Sequence, residues 1–501
     1  MISRFYGIVL PLMLAGCMVG PRYHRPDAII STQFKELRPA QGWKQASPQL
    51  AARPKLEWWR IYNDPVLDGL EAQVALSNQN VKAYEASYRN ARALIDSVRA
   101  QLFPTISGSL GFNRDGHGAG SLSSSGSNYA KAGTAYNTYD IGPSASWDLD
   151  IWGKIRRQIQ EQVTAAQASA ADLANATLSY QAQLAIAYFN LRYQDSLQDL
   201  LRRYVHFNEQ ALAITENGFN AGINDPTAVL QARTTLEQNR ASLIQAGINR
   251  AQYEHAIAVL IGRPPADVTI APAPLTREVP PIPVSVPADL LQRRPDIASA
   301  ERKMEEYNAM IGAEMAAFYP DITINASYEQ SGGDPVTSLM SMANRVWSLG
   351  AAASETLFSG GSRTAAVHEA DAQYDSAVAT YRQTVLSALQ STEDQLSNLR
   401  ILAEEDVRQA AALDLANRTV EVSLNQYQAG ITIYTTVITS ETTALGDAET
   451  VLGIRQQRMV ASVNLVEALG GGWDTSRLPT KAVLQKDNPF LPAFIQRDTN
   501  R

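Results

Sequence analysis

The residues from Gly153 to Gly222 constrain the fold most, because they contain almost no Pro or Gly and repeat small or apolar residues in steps of three and four. This 3.5-residue period is typical of helices that wind around one another. At ~1.5 Å per residue the predicted helix is roughly 100 Å long, which exceeds a compact globular domain. The stripe comprises Val163, Ala166, Ala170, Leu173, Thr177, Tyr180, Leu184, Ala187 and Leu191. A second stripe beside it allows packing on two sides, as in the wall of a cylinder, although an ordinary bundle or a solitary coiled coil is also possible.

The N-terminal residues have the features of an export signal followed by a lipid attachment site. Arg4 precedes a short apolar run, and Leu14-Ala15-Gly16-Cys17 resembles the lipobox of bacterial lipoproteins. We therefore predict a signal peptide over residues 1–16 and lipidation of Cys17. Since Cys17 is the sole cysteine, an internal disulfide and a thiolate metal cluster are excluded. The following Met18, in place of Asp, favours the outer membrane by resemblance to sorted lipoproteins.

The charge and the scattered polar residues exclude several classes of function. The net charge is −7 with no long basic run, so nucleic acid is not an expected partner. The five histidines lack metal-ligand spacing, and we find no phosphate-binding loop or nucleophile elbow. We expect no enzymatic activity, no cofactor and no metal. No apolar stretch of about 18 residues follows the signal, so a membrane crossing would require β-strands.

The period changes from 3.5 to 2 after a helix predicted over Val66–Leu102, which Pro104 ends. Two strands are predicted, Thr105–Asn113 and Asp140–Ile151, each with one apolar and one polar face. The polar face carries aspartates that need water, so the sheet requires one wet and one dry side. From a strand alone, a soluble core and a membrane are equally compatible with this pattern.

The second half of the chain repeats this order. We predict a helix over Pro287–Phe318, two strands over Ile322–Glu329 and Trp347–Phe358, and a second long helix over Gly361–Gly430. The first repeat is eight residues longer between its proline and its glycine, and the excess lies in the loop His117–Lys131, which predicts an exposed loop. Glu355 occupies an apolar position of the last strand and is interpreted as an interfacial charge.

These boundaries predict five segments. They are the signal peptide at 1–16, a lipid-anchored tether at 17–65, repeat one at 66–286, repeat two at 287–473 and a C-terminal tail at 474–501. Within each repeat the order is helix, two strands, long helix, helix. The fold class is therefore α+β with two internal repeats.

Four strands are too few to cross a membrane alone. The smallest spanning barrels have about eight strands, and an open edge in lipid leaves backbone groups unpaired. Two copies would supply eight strands and three copies would supply twelve, so the residues alone predict an oligomer of unspecified order. Helices that continue the strands would then form a tube around a water-filled lumen.

Three motifs carry a family resemblance that extends over about residues 14 to 473. They are Cys17–Tyr23 followed by Arg25-Pro26, Val286–Ile297 followed by Ala300-Glu301, and Ala468–Trp473. The chain resembles the TolC-like outer membrane factors, in the branch of NodT-type efflux lipoproteins. The resemblance implies a homotrimer with a twelve-stranded β-barrel, four strands per chain, continuous with a long periplasmic α-helical barrel. It also implies a periplasmic adaptor protein and an inner-membrane pump of RND, MFS or ABC type as partners.

The implied function is a passive conduit in the bacterial outer membrane, anchored by lipid and extending into the periplasm, for small toxic molecules that the pump passes on. Two alternatives remain open. The chain could be the conduit of a type I polypeptide secretion system, or a periplasmic coiled-coil lipoprotein without a pore. The residues do not identify the cargo or the energy source.

The resemblance places the gate and the adaptor-docking tips at the turns around Gly222 and Gly430. The family often has a bulky apolar residue and an aspartate one turn apart after the second turn, but this chain has Thr435 and Thr439 there. Candidate acidic substitutes are Asp225 and Glu441, and Tyr434 is a candidate gate residue.

Overall fold

The computed structural model describes residues 18–37, 57–116, 135–223, 225–276, 278–282, 284 and 287–485. The predicted signal peptide, Cys17, the loop His117–Lys131 and the end of the C-terminal tail lie outside the described residues.

Helices and strands follow the same order in both halves of the chain. The first half contains α1 (Pro65–Ser77), α2 (Gln79–Ala100), β1 (Thr105–Gly116), β2 (Ala135–Leu149), α3 (Lys154–Asn220) and α4 (Pro226–Leu260). The second half contains α5 (Leu290–Arg293), α6 (Pro295–Ala316), β3 (Asp321–Gly332), β4 (Arg345–Ser354), α7 (Ser362–Gln428), α8 (Tyr434–Ala468) and then α9 (Lys481–Leu484). Since α3 and α7 both have 67 residues and α4 and α8 both have 35, the predicted internal repeat is confirmed.

Short 3-10 helices connect these elements. They are Trp58–Tyr62, Pro265–Asp267, Pro287–Asp289, Val336–Ser338, Met342–Asn344 and Thr475–Arg477.

The four strands form one antiparallel sheet in the order β1-β2-β3-β4. Within the described residues, β1 and β4 each have a neighbour on one side only. The apolar side chains of the alternating pattern are widely exposed, with Ile106 at 73%, Leu110 at 79% and Trp347 at 71%. One chain therefore leaves both an apolar face and two backbone edges uncovered.

Two predictions of a single continuous helix are wrong, because the structure divides each of these helices in two. The helix predicted over Val66–Leu102 is broken at Asn78, whose side chain caps α2 and also donates from Nδ2 to the Leu260 carbonyl, 2.8 Å away. The helix predicted over Pro287–Phe318 is broken before Pro295, because proline has no N–H and holds the preceding Arg294 in an extended conformation.

The last strand is shorter than predicted. β4 ends at Ser354, where its pairing with β3 stops, instead of continuing to Phe358. Glu355 thus lies beyond the strand and forms an ion pair with Arg363 at the start of α7. β1, β2 and β3 contain the predicted spans, except that β2 ends before Asp150 and Ile151. Each of the three strands is longer than predicted at the end that lies away from the helices.

Residues 18–37 contain no helix or strand, and they are fastened to the helices along their length. Arg157 of α3 donates to the carbonyls of Val19 and Gly20, and Gly20 lies directly on Gly312, where a Cβ would clash with the backbone. Further along, Phe34 is buried against α6 and α7, and the Glu393 carboxylate accepts bonds from two backbone N–H groups of the segment. The N-terminal segment is therefore a strap along the helical wall.

α3 and α7 are equal in length but differ in burial. α3 packs against α2, α4, α6 and α8 and has 25 buried residues. α7 packs mainly against α6 and α8 and has eight. One long face of α7 is consequently uncovered in the single chain.

Among the described residues, no helix combines the length and the apolar character needed to span a bilayer.

Candidate functional site at the helical tips

The two long helices end in matching turns, which we call the tips. After α3 and after α7, Gly222 and Gly430 adopt left-handed conformations with φ of 73° and 71°. The next residue donates its N–H back to the helix, from Ile223 to Gly218 and from Ile431 to Gln426. Glycine is the residue that adopts this conformation without strain, so the turns are built into the sequence.

Asp225 caps α4 at the first tip. Its Oδ1 accepts from the backbone N and the Oγ1 of Thr227, at 2.7 and 2.8 Å, and Pro226 occupies the first helical position. These hydrogen bonds lower the pKa of Asp225 below its ordinary value. The second tip differs, because Ile433 precedes α8 and provides no side-chain cap.

Tyr434 lies inside the wall at the second tip. It is 3% exposed, and its ring lies 5.2 Å from that of Tyr427, centroid to centroid. Burial, followed by the nearby Glu441 and Tyr427, raises the pKa of Tyr434 to about 12, although the neighbouring Thr215 of α3 acts in the opposite direction. The tyrosine therefore joins the α7–α8 hairpin to α3 and α4 within one apolar cluster.

Glu441 is buried between α8 and α3. Glu441 is 2% exposed, and its Oε1 accepts a hydrogen bond from Asn208 Nδ2 at 2.6 Å. Oε2 has no hydrogen-bond partner among the described residues. Burial raises the pKa of Glu441 to about 7, while the Asn208 bond opposes the rise. The side chain is thus a polar link between α3 and α8.

The two threonines lie on an exposed part of α8. Thr435 Oγ1 donates to Gln231 Oε1 of α4 at 3.1 Å, and Thr439 Oγ1 donates to the Thr435 carbonyl at 2.9 Å. Thr435 therefore adds a second link between the hairpins, beside the one made by Tyr434.

The two acidic candidates are not brought together. Asn208, the partner of Glu441, lies twelve residues before the end of α3, which is about 18 Å along the helix from the turn that leads to Asp225. One carboxylate caps a helix in solvent, and the other is enclosed in the wall. Within the described part of the chain, no group of three or more His, Cys, Asp or Glu side chains could hold a metal ion.

Sequence reasoning missed Asn208 and Gln231 as partners of these candidates. A signal for Asn208 was present, because the heptad spacing of the α3 stripe, continued from Ala166, reaches position 208. A polar residue at such a position typically pairs with another polar group across the seam. Gln231 carries no comparable signal, since it lies on an exposed face.

Comparison with known families identifies the architecture. Residues 70–263 and 286–471 match the family model described as outer membrane efflux protein. The chain belongs to the outer membrane efflux protein family. The match covers both repeats and omits the linker between them, as well as the N- and C-terminal segments.

Two relatives illustrate what members of the outer membrane efflux protein family do. The solvent efflux pump outer membrane protein SrpC of Pseudomonas putida is 27% identical over 467 residues, covering 93% of this chain and 97% of SrpC. The pyoverdine export outer membrane protein OpmQ of Pseudomonas aeruginosa is 28% identical over 422 residues, covering 84% of this chain and 88% of OpmQ.

Solved structures have the same fold. The outer-membrane channel OprN superposes with a TM-score of 0.82 at 26% identity, covering 91% of this chain and all of OprN. The CmeC outer membrane channel of Campylobacter jejuni gives 0.83 at 21% identity, covering 95% of this chain and all of CmeC. The predicted fold class, an outer membrane channel that combines a β-sheet with a long α-helical periplasmic part, is confirmed.

The chain is accordingly an outer membrane component of an efflux system, located in the outer membrane and extending into the periplasm. This confirms the prediction that the chain is an outer membrane efflux component. Efflux channels of this family are not enzymes.

Proposed function

We propose that three copies of the chain form a closed conduit that exports small organic toxic molecules delivered by an inner-membrane pump through a periplasmic adaptor. The conduit catalyses no reaction and needs no cofactor. The observation that carries the proposal is the incomplete surface of the single chain, which has two open sheet edges and an uncovered α7 face. The channel meets the pump through the adaptor, so the proposal holds for a pump of RND, MFS or ABC type.

Two helices of the chain have uncovered apolar surfaces. α7 exposes apolar side chains along its length, namely Leu386, Ile401, Val407, Leu415 and Val422. α4, on the other side of the chain, exposes Leu230, Ile244, Ile248 and Val259. Because a monomer rarely exposes apolar stripes of this length, they support burial against neighbouring copies.

The tips are the proposed docking surface for the adaptor. Ile223, Ile431 and Ile433 are 80%, 74% and 71% exposed, and they follow the two glycine turns directly. Apolar side chains at the two turns suit the apolar face of an adaptor helix. We assign the left-handed turns at Gly222 and Gly430 to docking.

The residues around the tips are the proposed gate. Tyr434, Thr435 and Glu441 link the two hairpins of the chain, so they fix the hairpins relative to one another. Thr439 lies one turn from Thr435 on α8, and Asp225 fixes the start of α4. Opening would require these links between hairpins to break.

Charging both tips tests the proposal. Replacing Ile223 and Ile431 together by Asp should prevent docking, because an interface anchor contributes about 2 kcal/mol or more, roughly 30-fold in affinity. We expect co-purification of the adaptor to be lost and dye accumulation in pump-expressing cells to rise to the level of cells without the channel.

The control is Leu76→Asp, which makes the same kind of substitution once, at an apolar side chain that is 74% exposed on α1, away from the tips. It should leave docking and export unchanged. Normal export by the double variant, with adaptor still bound, would refute the docking assignment. Trimer content, measured on gels, must be equal in all variants.

Lipidation of Cys17 is proposed from its lipobox, with residues 1–16 removed as the signal peptide. The expected product is a mature chain that begins at the acylated Cys17, followed by the strap. Cys17→Ser should remove the acyl mass in mass spectrometry and lower the yield of trimer several-fold, because the lipid holds the chain at the membrane during assembly. An unmodified cysteine in the wild-type protein would contradict the assignment.

A further inference from the structure

A cavity of about 560 Å³ lies between α3, α6 and α7. α6 forms its floor with Ser299 and Ala300, α7 forms one side over residues 369–384, and α3 contributes Asp172. Cavities of about 300–1,000 Å³ hold small organic molecules in proteins. The cavity is therefore large enough for a molecule of the size of the proposed cargo.

The cavity opens on the side of α6 that lies opposite the strap. The strap contacts α6 at Glu301, Asn308 and Gly312, which lie within about 20° of one another around the helix axis. Ser299 and Lys303 line the cavity and lie about 160° from Glu301. Since the strap starts at the proposed lipid anchor, it lies outside the conduit. The cavity consequently faces the lumen, an orientation that rests on the proposed function.

The charges of the cavity leave one carboxylate without a basic partner. Three carboxylates and one ammonium group line the cavity, from Asp172, Asp296, Glu369 and Lys303. Asp172 Oδ2 lies 3.6 Å from Lys303 Nζ, and Asp296 Oδ2 lies 2.7 Å from Arg294 Nη2. Within the described residues, Glu369 takes part in no ion pair. The cavity therefore favours a positively charged molecule.

Ser299 adds a polar atom without a partner at the floor of the cavity. Ser299 is 3% exposed, and its Oγ has no hydrogen-bond partner among the residues that the structure describes. By contrast, the hydroxyls of Thr380 and Thr384 on α7 each donate to a carbonyl of their own helix at 2.9 Å. Buried polar groups in folded proteins are nearly always hydrogen-bonded. An N–H group of a molecule in the cavity would provide the partner that Ser299 lacks.

The remaining floor of the cavity is apolar. Ala300 and Ala377 are buried, and Tyr307 packs beside them. Apolar surface contributes to binding in proportion to the area removed from water, so it favours an organic molecule over an inorganic ion. An aromatic ring such as that of Tyr307 also attracts cations.

We propose that this cavity binds organic cations that have an apolar body and carry N–H groups. Glu369 pairs with the positive charge, Ser299 Oγ accepts from an N–H group, and the alanine floor with Tyr307 contacts the apolar body. The inference specifies a substrate class for the proposed conduit. The cavity itself lies within one chain, so its ligand can be tested separately from export.

Ethidium is a suitable probe, because it is a permanent organic cation with aromatic rings and amino groups. Binding is measured by fluorescence anisotropy on the purified full-length protein in detergent. Glu369→Gln removes the charge, and Thr380→Trp fills the cavity from an exposed position on α7. The matched control is Glu405→Gln, which removes an exposed carboxylate roughly 50 Å farther along the same helix.

We expect Glu369→Gln to bind ethidium roughly tenfold more weakly than the wild type, as for the loss of one charge-assisted contact. Thr380→Trp should show no saturable binding, and Glu405→Gln should match the wild type. The anionic dye fluorescein should bind to none of the four proteins. Circular dichroism should show equal helix content in all of them, which separates loss of the site from loss of the fold.

Equal ethidium affinity in the wild type, Glu369→Gln and Thr380→Trp would overturn the site, and so would the absence of saturable binding to the wild type. Export is measured independently, as ethidium efflux from cells that contain the adaptor and the pump but lack their own channel. A wild-type chain that binds ethidium with the expected pattern and does not restore efflux would refute the proposed function and leave the site in place.

Discussion

Replacing Asp195 by Asn is expected to lower the free energy of unfolding by about 3–5 kcal/mol, because the substitution leaves buried arginines without their carboxylate. Asp195 Oδ2 lies 3.0 Å from Arg192 Nη1, and Oδ1 lies 2.6 Å from Arg250 Nε. The side chains of Asp195 and Arg192 are 3% and 5% exposed. Asp195 also accepts from the backbone N of Ala273, so the loss affects the linker between the repeats.

The neighbouring pair provides the control. Asp199, one turn along α3, lies 3.5 Å from Arg203, but both side chains are about two-thirds exposed. Asp199→Asn should therefore change stability by less than about 1 kcal/mol. Unfolding is followed by circular dichroism in detergent for both variants. Equal stability of the two variants would show that the buried network does not fasten the linker.

The long helices and the repeat were predictable because their signals are local. Glycines with positive φ mark the ends, and the interior contains no Pro and only Gly218, in the last turn, so the predicted span Gly153–Gly222 contains α3 with one or two residues of margin. The break between α1 and α2 was not predictable in this way. It depends on a contact between Asn78 and Leu260, which are distant in sequence.

The candidate site also has one part that was predictable from the sequence and one part that was not. The turns at Gly222 and Gly430 follow from backbone geometry that the sequence specifies directly. The environment of Glu441 does not, because an acid in a polar stretch of sequence gives no indication that it will be buried. Its burial results from the packing of α8 against α3, and only the polar pair with Asn208 could have been anticipated. The end of β4 at Ser354 was not predictable from the sequence either, because it is set by where the pairing with β3 stops.

Replacing Glu441 by Gln should remove part of the loss of stability that the wild-type protein suffers as pH rises. In the folded chain the pKa of Glu441 is about 7, above its ordinary value of 4.5. Between these values the folded state holds a proton that the unfolded state releases, so wild-type stability falls as pH rises through this window and levels off above pH 7. The total fall attributable to Glu441 is about 3 kcal/mol, at 1.36 kcal/mol per pKa unit.

Glu441→Gln keeps an oxygen that can accept from Asn208 and has no charge to desolvate, so its stability should depend less on pH between 5 and 8. The control is Glu421→Gln on the exposed face of α7, which should keep the wild-type dependence. Glu306, whose pKa burial and Glu161 also raise to about 7, contributes equally in all three proteins and cancels in the comparison. Identical pH dependence of melting temperature in the wild type and Glu441→Gln would mean that the carboxylate is solvated. A smaller dependence in Glu441→Gln would show that the α3–α8 seam above the tips is weakened each time this side chain loses its proton.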